Sequence, residues 1–455
     1  MRRLGNGTTE FPGNMLLAAV GDQQATRAVS QATAKELRAL GINANLAPVL
    51  DVNNHPDNPV IGVRSFGEKV ADVIRHGTAF IKGHHDTGVI TTAKHFPGHG
   101  DTDTDSHLAL PTIPHDLNRL NQIELEPFRK AIVEGVDCIM ISHISFPALE
   151  PDKDVPASLS YAVVTELLRK KMGFKGVIMT DCLEMNAIAE TVGTVEGAVR
   201  ALRAGVDTII VSHTYSLQKK VIQRILKAVD RGELREEAID KAVQRVWHLK
   251  SKYLSWERVP TPEKGIPQYV GGEAHRQLAW KLYERGTTLL KNNGILPLDL
   301  DPRTTILVVE VDQKRYSLVQ DGEDICRLRD AVLQHHRNVK SIHIGISPSK
   351  EEMRKVLQEV ESADIIIYGT VNAHLMRSQA DLVNRVSRMD KPVIAVAMHN
   401  PYDLAAIPRA SAFIATYEPT FAALSVAADI IFGKKKARGK LPITIPGHAE
   451  RGTGL

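Results

Sequence analysis

The amino-acid sequence predicts an α/β protein: a (β/α)8-type TIM barrel whose N-terminal strands are missing, followed by a doubly wound α/β sandwich domain. Three observations predict this fold. Short apolar strands alternate with amphipathic helices in both halves of the chain, polar residues follow the strands of the first half, and a Pro- and Gly-rich segment separates the halves. A length of 455 residues also indicates more than one core.

Five apolar runs of the first half are predicted as strands, at residues 44–52, 89–96, 138–144, 177–180 and 208–211. Helices are predicted at residues 25–40, 69–87, 117–134, 157–171, 218–231 and 236–253, with another between the last two strands. Repeated strand–helix units imply parallel strands with right-handed crossovers. Because a closed barrel has about eight strands, we expect the chain to begin inside the barrel.

Polar residues with catalytic potential fall at or just after these strands. Asp51 ends the first, His95 the second, His143 lies in the third, and Asp181 follows the fourth. Side chains that converge from the carboxyl ends of several parallel strands are typical of a (β/α) barrel.

The second half begins after a linker. We predict a partial catalytic barrel at residues 1–253, a linker and connecting helix at 254–285, and a C-terminal α/β domain at 286–455. Strands of the last domain are predicted at residues 305–311, 341–346, 365–369, 393–398 and 412–417. Their alternation with helical segments predicts a doubly wound sheet.

Composition argues against several classes of function. The net charge of +4 is small and dispersed, which disfavours nucleic-acid binding. No segment approaches the ~20 apolar residues of a membrane span, and no apolar signal peptide follows the first residues. The 3 cysteines show no metal-type spacing. These features leave the compartment, whether cytoplasmic or exported, and the oligomeric state open.

The most informative segment is residues 94–107, Lys-His-Phe-Pro-Gly-His-Gly-Asp-Thr-Asp-Thr-Asp-Ser-His. Lys94 at a strand end offers three donors for hydroxyl groups. Asp105 and His107 are close enough for the carboxylate to orient the imidazole, which suits proton transfer near neutral pH. A metal site, a phosphate-binding loop and a solvated polar loop are alternatives, but no standard metal or phosphate motif occurs. We therefore expect no metal and no cofactor.

A second element is the apolar strand that ends at Asp181. This carboxylate would face the mouth of a barrel, although strand-end aspartates also cap helices. Glu184 is the nearest rival carboxylate, and Cys182 is more simply a small buried thiol.

Together these residues resemble the family 3 glycoside hydrolases of the NagZ-like β-N-acetylhexosaminidase type. The resemblance rests on four motifs in order: residues 46–52, residues 61–67, the Lys-His-Phe-Pro-Gly-His-Gly block with Asp-Ser-His, and Thr180-Asp181 followed by Met185. The ending Gly439-Lys440-Leu441-Pro442 is similar to that of the two-domain members, so the resemblance covers nearly the whole chain.

The resemblance implies a retaining mechanism and a role for each site residue. Asp181 would attack the anomeric carbon, and His107, oriented by Asp105, would act as acid and then as base. Arg64, Lys94 and His95 would bind the sugar. The substrate would be terminal β-linked N-acetylglucosamine on a short glycan or a muropeptide, as in peptidoglycan recycling. Only 5% of residues are aromatic, which also favours a small substrate.

Two alternatives remain. An N-acetylglucosaminide phosphorylase of the same family would share every motif, and an inactive glycan-binding fragment would fit an incomplete barrel. Relatives carry an Asp-Gln-Glu-Gly-Gly strand upstream of a segment like the one from Leu4 to Met15, and here that segment stands at the start of the chain. We therefore expect an N-terminal truncation that removes one strand and its sugar-binding aspartate.

Overall fold

Two large sheets of mainly parallel strands, one in each unit, organise the described part of the chain, which also contains a small two-stranded sheet. The barrel unit comprises Thr26–Ile61 and Lys69–Val270, and the sandwich unit comprises Met1–Ala25, Gly62–Glu68 and Gly271–Leu455. The computed structural model describes residues 4, 7–104, 109–255, 266–312, 315–317, 320–321 and 327–455. The first residues and Gly62–Glu68 thus group with the C-terminal sheet, and the domain boundaries proposed above remain predictions.

The α-helices are α1 Asn14–Val20, α2 Gln23–Ala39, α3 Val70–His85, α4 Leu117–Gln122, α5 Glu126–Val133, α6 Asn186–Ala189, α7 Thr194–Ala204, α8 Tyr215–Asp230, α9 Glu236–Tyr253, α10 Glu273–Gly286, α11 Leu328–Leu333, α12 Lys350–Glu361, α13 Arg377–Val386, α14 Asp403–Ala406 and α15 Phe421–Ile431. The strands are β1 Ala44–Asn45, β2 Ile90–Phe96, β3 Cys138–Ile141, β4 Val177–Cys182, β5 Thr208–Ile210, β6 Thr288–Asn292, β7 Ile306–Val311, β8 Arg315–Ser317, β9 Gln320–Asp321, β10 Val339–Ile344, β11 Ile365–Thr370, β12 Val393–Ala397 and β13 Ala412–Ala415.

The sheet of the barrel unit has the order β1-β2-β3-β4-β5, and all its strand pairs are parallel. Helices connect the successive strands, so the carboxyl ends of all five strands lie at one edge of the sheet. This arrangement confirms the predicted barrel-type α/β fold and brings the residues after β2, β3 and β4 to the same edge.

The first predicted strand, residues 44–52, is shorter in the structure. Regular pairing ends at Asn45, because Pro48 has no N–H to donate to a ladder. The chain nevertheless continues beside β2, where Leu50 N donates to Lys94 O at 2.7 Å and Lys94 N donates to Pro48 O at 3.1 Å. Asp51 therefore still lies at the carboxyl edge of the sheet.

Two predicted helices also differ from the structure. Residues 117–134 form α4 and α5 separately, with Pro127 in the first turn of α5, where a residue without an N–H is tolerated. Residues 157–171 form a 3₁₀ turn, Ala157–Leu159, and a π-helix, Ala162–Lys171. Over ten residues, apolar periodicity alone does not separate a π-helix from an α-helix.

The sheet of the sandwich unit has the order β10-β7-β11-β12-β13-β6. The pairs from β10 to β13 are parallel, and only β6, which the sequence did not predict, runs antiparallel to β13. Every residue of β7, β11 and β12 is buried, as expected when helices cover both faces of a parallel sheet. The doubly wound prediction is confirmed.

Candidate active site

Charged side chains meet at the carboxyl edge of the barrel-unit sheet. Lys94 and His95 lie near the end of β2, Asp181 lies near the end of β4, and β3 pairs with both strands. His143 follows β3 by two residues. The positive charges of His95, His143 and Lys94 all act on the Asp181 carboxylate, so the structure brings these four groups together.

The Asp181 carboxylate is held in its ionised form. Burial by itself would raise its pKa, but the charges of His95, His143 and Lys94 outweigh this effect and lower the pKa to about 2. Oδ1 also accepts a hydrogen bond from Cys182 N at 2.7 Å. An ionised carboxylate at neutral pH is in the protonation state that a nucleophile requires.

Asp51 fixes the orientation of His95. Its Oδ2 lies 2.7 Å from His95 Nδ1, while its Oδ1 accepts from His95 N at 3.1 Å and from His99 N at 2.7 Å. Asp51 and His95 are only 1% and 4% exposed. Burial opposes ionisation of Asp51, but the charge and hydrogen bonds of His95 and the charge of His99 lower its pKa. The ionised Asp51 therefore keeps a proton on His95 Nδ1 and fixes the orientation of the ring.

His143 links β3 to the segment after β4. Its Nε2 donates to Cys182 O at 3.0 Å, and its Nδ1 lies 2.8 Å from Ser158 Oγ. These bonds place the imidazole beside the residue that follows Asp181. The strand-end pattern marked Asp51 and His143 as polar residues with catalytic potential but gave them no role, and their contacts with the site come from the structure.

The loop after β2 is held in place before its polar stretch begins. A Cβ at Gly100 would lie 1.7 Å from Val52 O, so only glycine permits this approach of the two backbones. Asn58 Nδ2 donates to His99 O at 2.9 Å and to Gly100 O at 3.0 Å. The Asn58 Oδ1 accepts from Val60 N and Ile61 N, so one side chain fastens two loops together.

The proposed acid/base pair, Asp105 and His107, lies outside the described residues. The chain on either side of it carries an ion-pair cluster. Asp101 Oδ2 lies 2.7 Å from His115 Nε2, and Arg119 Nη2 lies 3.1 Å from Asp101 Oδ2 and 3.4 Å from Glu124 Oε1. Burial raises the pKa of Glu124, an effect that Arg119 opposes.

This cluster bears on the question of a metal. Asp101, His115 and Glu124 are close enough to share one ion. The guanidinium of Arg119, however, already contacts both carboxylates, and a metal cation would have to displace it against charge repulsion. We therefore describe these residues as an ion-pair cluster at the base of the loop.

Arg64, the remaining predicted sugar-binding residue, belongs to the sandwich unit. It ends the 3₁₀ turn Gly62–Arg64, and its side chain is partly exposed. Across the described part of the chain, no helix is long and apolar enough to cross a membrane.

Exchanging Asp51 for asparagine should impair the sugar binding that the sequence predicts for His95. Asp51→Asn removes the charge that orients His95. It also turns the NH₂ group of the amide toward the N–H donors of His95 or His99. Losing a hydrogen bond to a charged group costs about 1.5–3 kcal/mol, so we expect kcat/KM to fall roughly 10- to 100-fold. Steady-state kinetics with an aryl N-acetylglucosaminide, the type of substrate that the sequence resemblance implies, measures the effect.

Asp137→Asn is the matched control for this variant. Asp137 is also buried and paired with a histidine, His85, at 2.9 Å, but it precedes β3 and so lies at the opposite edge of the sheet. Its loss should lower the melting temperature and leave KM unchanged. If the two variants lower kcat/KM equally, Asp51 acts through stability alone.

The parallel β/α sheet carries an ionised carboxylate and several basic groups at its carboxyl edge, and a second α/β sheet follows it. These features define an enzyme of the barrel class with its site at that edge. The chain belongs to glycoside hydrolase family 3. The model of the "Glycosyl hydrolase family 3 N terminal domain" matches residues 1–249, and that of the "Glycosyl hydrolase family 3 C-terminal domain" matches residues 287–453. The protein is therefore a glycoside hydrolase.

Three relatives illustrate the similarity. Beta-hexosaminidase A of Pseudoalteromonas piscicida is 30% identical over 96% of this chain and 80% of its own length. Beta-hexosaminidase LpqI of Mycobacterium tuberculosis is 36% identical over 55% of this chain and 64% of its own length. The structure of a family 3 beta-N-acetylglucosaminidase from Paenibacillus sp. str. FPU-7 superimposes with a TM-score of 0.91 at 40% identity, over 97% of this chain and 84% of that one.

Proposed function

We propose that this protein is a retaining β-N-acetylhexosaminidase that releases terminal β-linked N-acetylglucosamine from short glycans or muropeptides. The similarity to proteins named beta-hexosaminidase and beta-N-acetylglucosaminidase supports this substrate class. The observation that carries the proposal is the Asp181 carboxylate at the carboxyl edge of the sheet, where Lys94, His95 and His143 lower its pKa electrostatically.

Asp181 is proposed as the nucleophile. Its carboxylate attacks the anomeric carbon of the sugar, the glycosidic bond breaks, and a covalent glycosyl-enzyme forms. Water then replaces the enzyme oxygen from the face that the leaving group vacated, so the product keeps the β configuration. A carboxylate with a pKa of about 2 stays ionised throughout the neutral range and needs no separate base.

His107 is proposed as the acid and base, with Asp105 as its orienting partner. In the first step His107 protonates the leaving oxygen, and in the second it accepts a proton from water. Most retaining glycosidases use a second carboxylic acid for this purpose. An imidazole performs the same task because its pKa lies near neutral pH, where both of its protonation states are accessible.

Lys94, His95 and Arg64 are proposed to bind the sugar. The Lys94 ammonium offers three donors for hydroxyl oxygens, and the guanidinium of Arg64 offers a planar set of donors. The Asp51 bond holds His95 at a fixed angle beside Asp181. Fixed donors and acceptors around the reacting carbon reduce the entropy that is lost on reaching the transition state.

The proposal is tested with 4-nitrophenyl β-N-acetylglucosaminide and chitobiose, each in buffer with and without inorganic phosphate. We expect N-acetylglucosamine in both buffers, with the β-anomer appearing first by proton NMR. Initial formation of the α-anomer would contradict retention. Phosphate-dependent N-acetylglucosamine 1-phosphate would identify a phosphorylase, and binding of chitobiose without cleavage would identify a non-catalytic glycan-binding protein.

A further inference from the structure

The residue proposed to bind sugar through its guanidinium, Arg64, lies on a short turn that packs within the sandwich unit. Ser65 N donates to Gly62 O at 3.1 Å and closes the 3₁₀ turn. Val63, in the middle of the turn, is 7% exposed and belongs to the same hydrophobic core as Met15 and Tyr283. The backbone of Arg64 is thus attached to the core of this unit.

Asn14 holds the backbone of Arg64 directly. Its Nδ2 donates to Arg64 O at 2.6 Å, across 50 residues of sequence. Asn14 is the first residue of α1, which packs against both the turn and α10. The segment from Leu4 to Met15, which resembles a segment of the relatives, thereby acquires a specific role, because its Asn14 hydrogen-bonds to the backbone of Arg64.

Asn400 packs against the other side of the turn. Gly62 has φ +41°, and a Cβ at this position would come within 2.6 Å of Asn400 Oδ1. Asn400 is held in turn, since its Nδ2 donates to Asn372 Oδ1 at 2.9 Å, and His399 Nδ1 lies 2.7 Å from the same oxygen. This buried network leaves the turn no room to move toward the sheet.

The chain is fastened again four residues after Arg64. The Glu68 carboxylate accepts hydrogen bonds from Thr444 N at 2.7 Å and from Thr444 Oγ1 at 2.9 Å. The segment Gly62–Glu68 is therefore anchored before, at and after Arg64, and all these anchors belong to the sandwich unit.

We infer that Asn14 is a positioning residue for Arg64, because it holds the backbone of the turn that carries the Arg64 side chain. This inference rests on the proposed function, because it assigns sugar binding to Arg64. Asn14 acts on the backbone of Arg64, through the hydrogen bond to its carbonyl. Its loss should therefore change KM more than kcat, because the reacting groups on the barrel sheet are untouched.

The test is a double-mutant cycle on Asn14 and Arg64 with 4-nitrophenyl β-N-acetylglucosaminide. Asn14→Ala should raise KM roughly three- to tenfold, as expected for one neutral hydrogen bond, with kcat within about twofold of the unsubstituted protein. Asn14→Asp should raise KM at least as much, because its carboxylate oxygen would face the carbonyl oxygen. Arg64→Ala should raise KM further, and Arg64→Ala with Asn14→Ala should match Arg64→Ala alone.

Asn384→Ala is the matched control. Asn384 also lies on a helix of the sandwich unit, and its Nδ2 donates to one backbone carbonyl, that of Ala406, at 2.8 Å. This variant should lose stability without a change in KM. Hydrogen exchange reports on the turn itself, and we expect faster exchange at Ser65 and its neighbours in Asn14→Ala but not in Asn384→Ala.

The outcomes separate this inference from the proposed function. If the unsubstituted protein turns over the substrate but Asn14→Ala leaves KM unchanged, the inference is wrong and the proposed function stands. Multiplicative effects of Asn14→Ala and Arg64→Ala on KM would also overturn it, because they would show independent roles. If the unsubstituted protein releases no N-acetylglucosamine, the proposed function fails and the inference fails with it.

Discussion

Replacing Asp181 by asparagine should lower kcat for 4-nitrophenyl β-N-acetylglucosaminide on the order of 10⁴-fold or more while the protein stays folded. The amide has nearly the shape of the carboxylate but cannot form the glycosyl-enzyme. Its Oδ1 can still accept the hydrogen bond from Cys182 N that the carboxylate accepts at 2.7 Å. The loss should therefore be chemical, with circular dichroism and melting temperature as the checks on folding.

Glu184→Gln is the control for position and charge. Glu184 lies three residues further along the chain, and its carboxylate accepts from His213 N at 2.7 Å and Thr214 N at 3.2 Å. The Glu184→Gln variant should retain most of the activity, because the Glu184 side chain binds the backbone of the loop at His213 and Thr214. If Glu184→Gln were the inactive variant and Asp181→Asn the active one, the assignment of the nucleophile would be wrong. Added formate should partly restore Asp181→Ala, since it supplies a carboxylate in the space left by the side chain.

The pH dependence provides an independent check on Asp181. Its pKa of about 2 in the folded protein lies below the unfolded value, so its ionised form contributes to stability above pH ~4 and loses that contribution as the pH falls toward 2. Protonation of Asp181 therefore should not limit kcat/KM in the range from roughly pH 4 to 8. Any loss of activity on the acid side of that range belongs to another group, such as an imidazole.

His107→Ala should affect substrates according to their leaving group. For chitobiose, whose leaving alkoxide needs a proton, we expect kcat/KM to fall by about 10²- to 10⁴-fold. For a 2,4-dinitrophenyl glycoside, whose phenolate leaves without protonation, kcat/KM should stay near that of the unsubstituted protein. The parameter kcat/KM is chosen because it reports the first chemical step, before His107 is needed as a base.

His115→Ala is the matched histidine variant. His115 lies 2.7 Å from Asp101 in the ion-pair cluster. Its loss should change kcat/KM for chitobiose and for the 2,4-dinitrophenyl glycoside by a similar factor. Equal losses for the two substrates in His107→Ala would count against its role as an acid. Retention of full activity toward chitobiose would exclude the role altogether.

Much of the fold could be predicted because local patterns encode it. The helix at Glu236–Tyr253 has the bounds expected from its apolar periodicity. The strand before Asp181 was predicted within two residues at its end, since an apolar run followed by a carboxylate is a strong local signal. Strand β6 was missed, because five residues after a long helix carry little pattern of their own.

The site was predictable only in part. Lys94, His95 and Asp181 could be singled out as polar groups at strand ends, and the structure brings them together. Asp51 was also singled out at a strand end, but its pairing with His95 could not be predicted, since the two residues are 44 positions apart and a 3₁₀ turn, a helix and most of β2 lie between them. The grouping of Gly62–Glu68 with the C-terminal sheet could not be predicted from the sequence either, because no change in composition marks this segment.

The sequence by itself determined the class of fold, the order of the motifs and the chemical types of the groups at the strand ends. Periodicity, glycines and charged residues act over a few positions, so they can be read from a linear chain. Only the tertiary structure decided which groups touch: Asp51 with His95, His143 with the residue after Asp181, and Asn14 with the carbonyl of Arg64. These contacts depend on strand register and on which segments pack together, and both are set by burial over the whole chain.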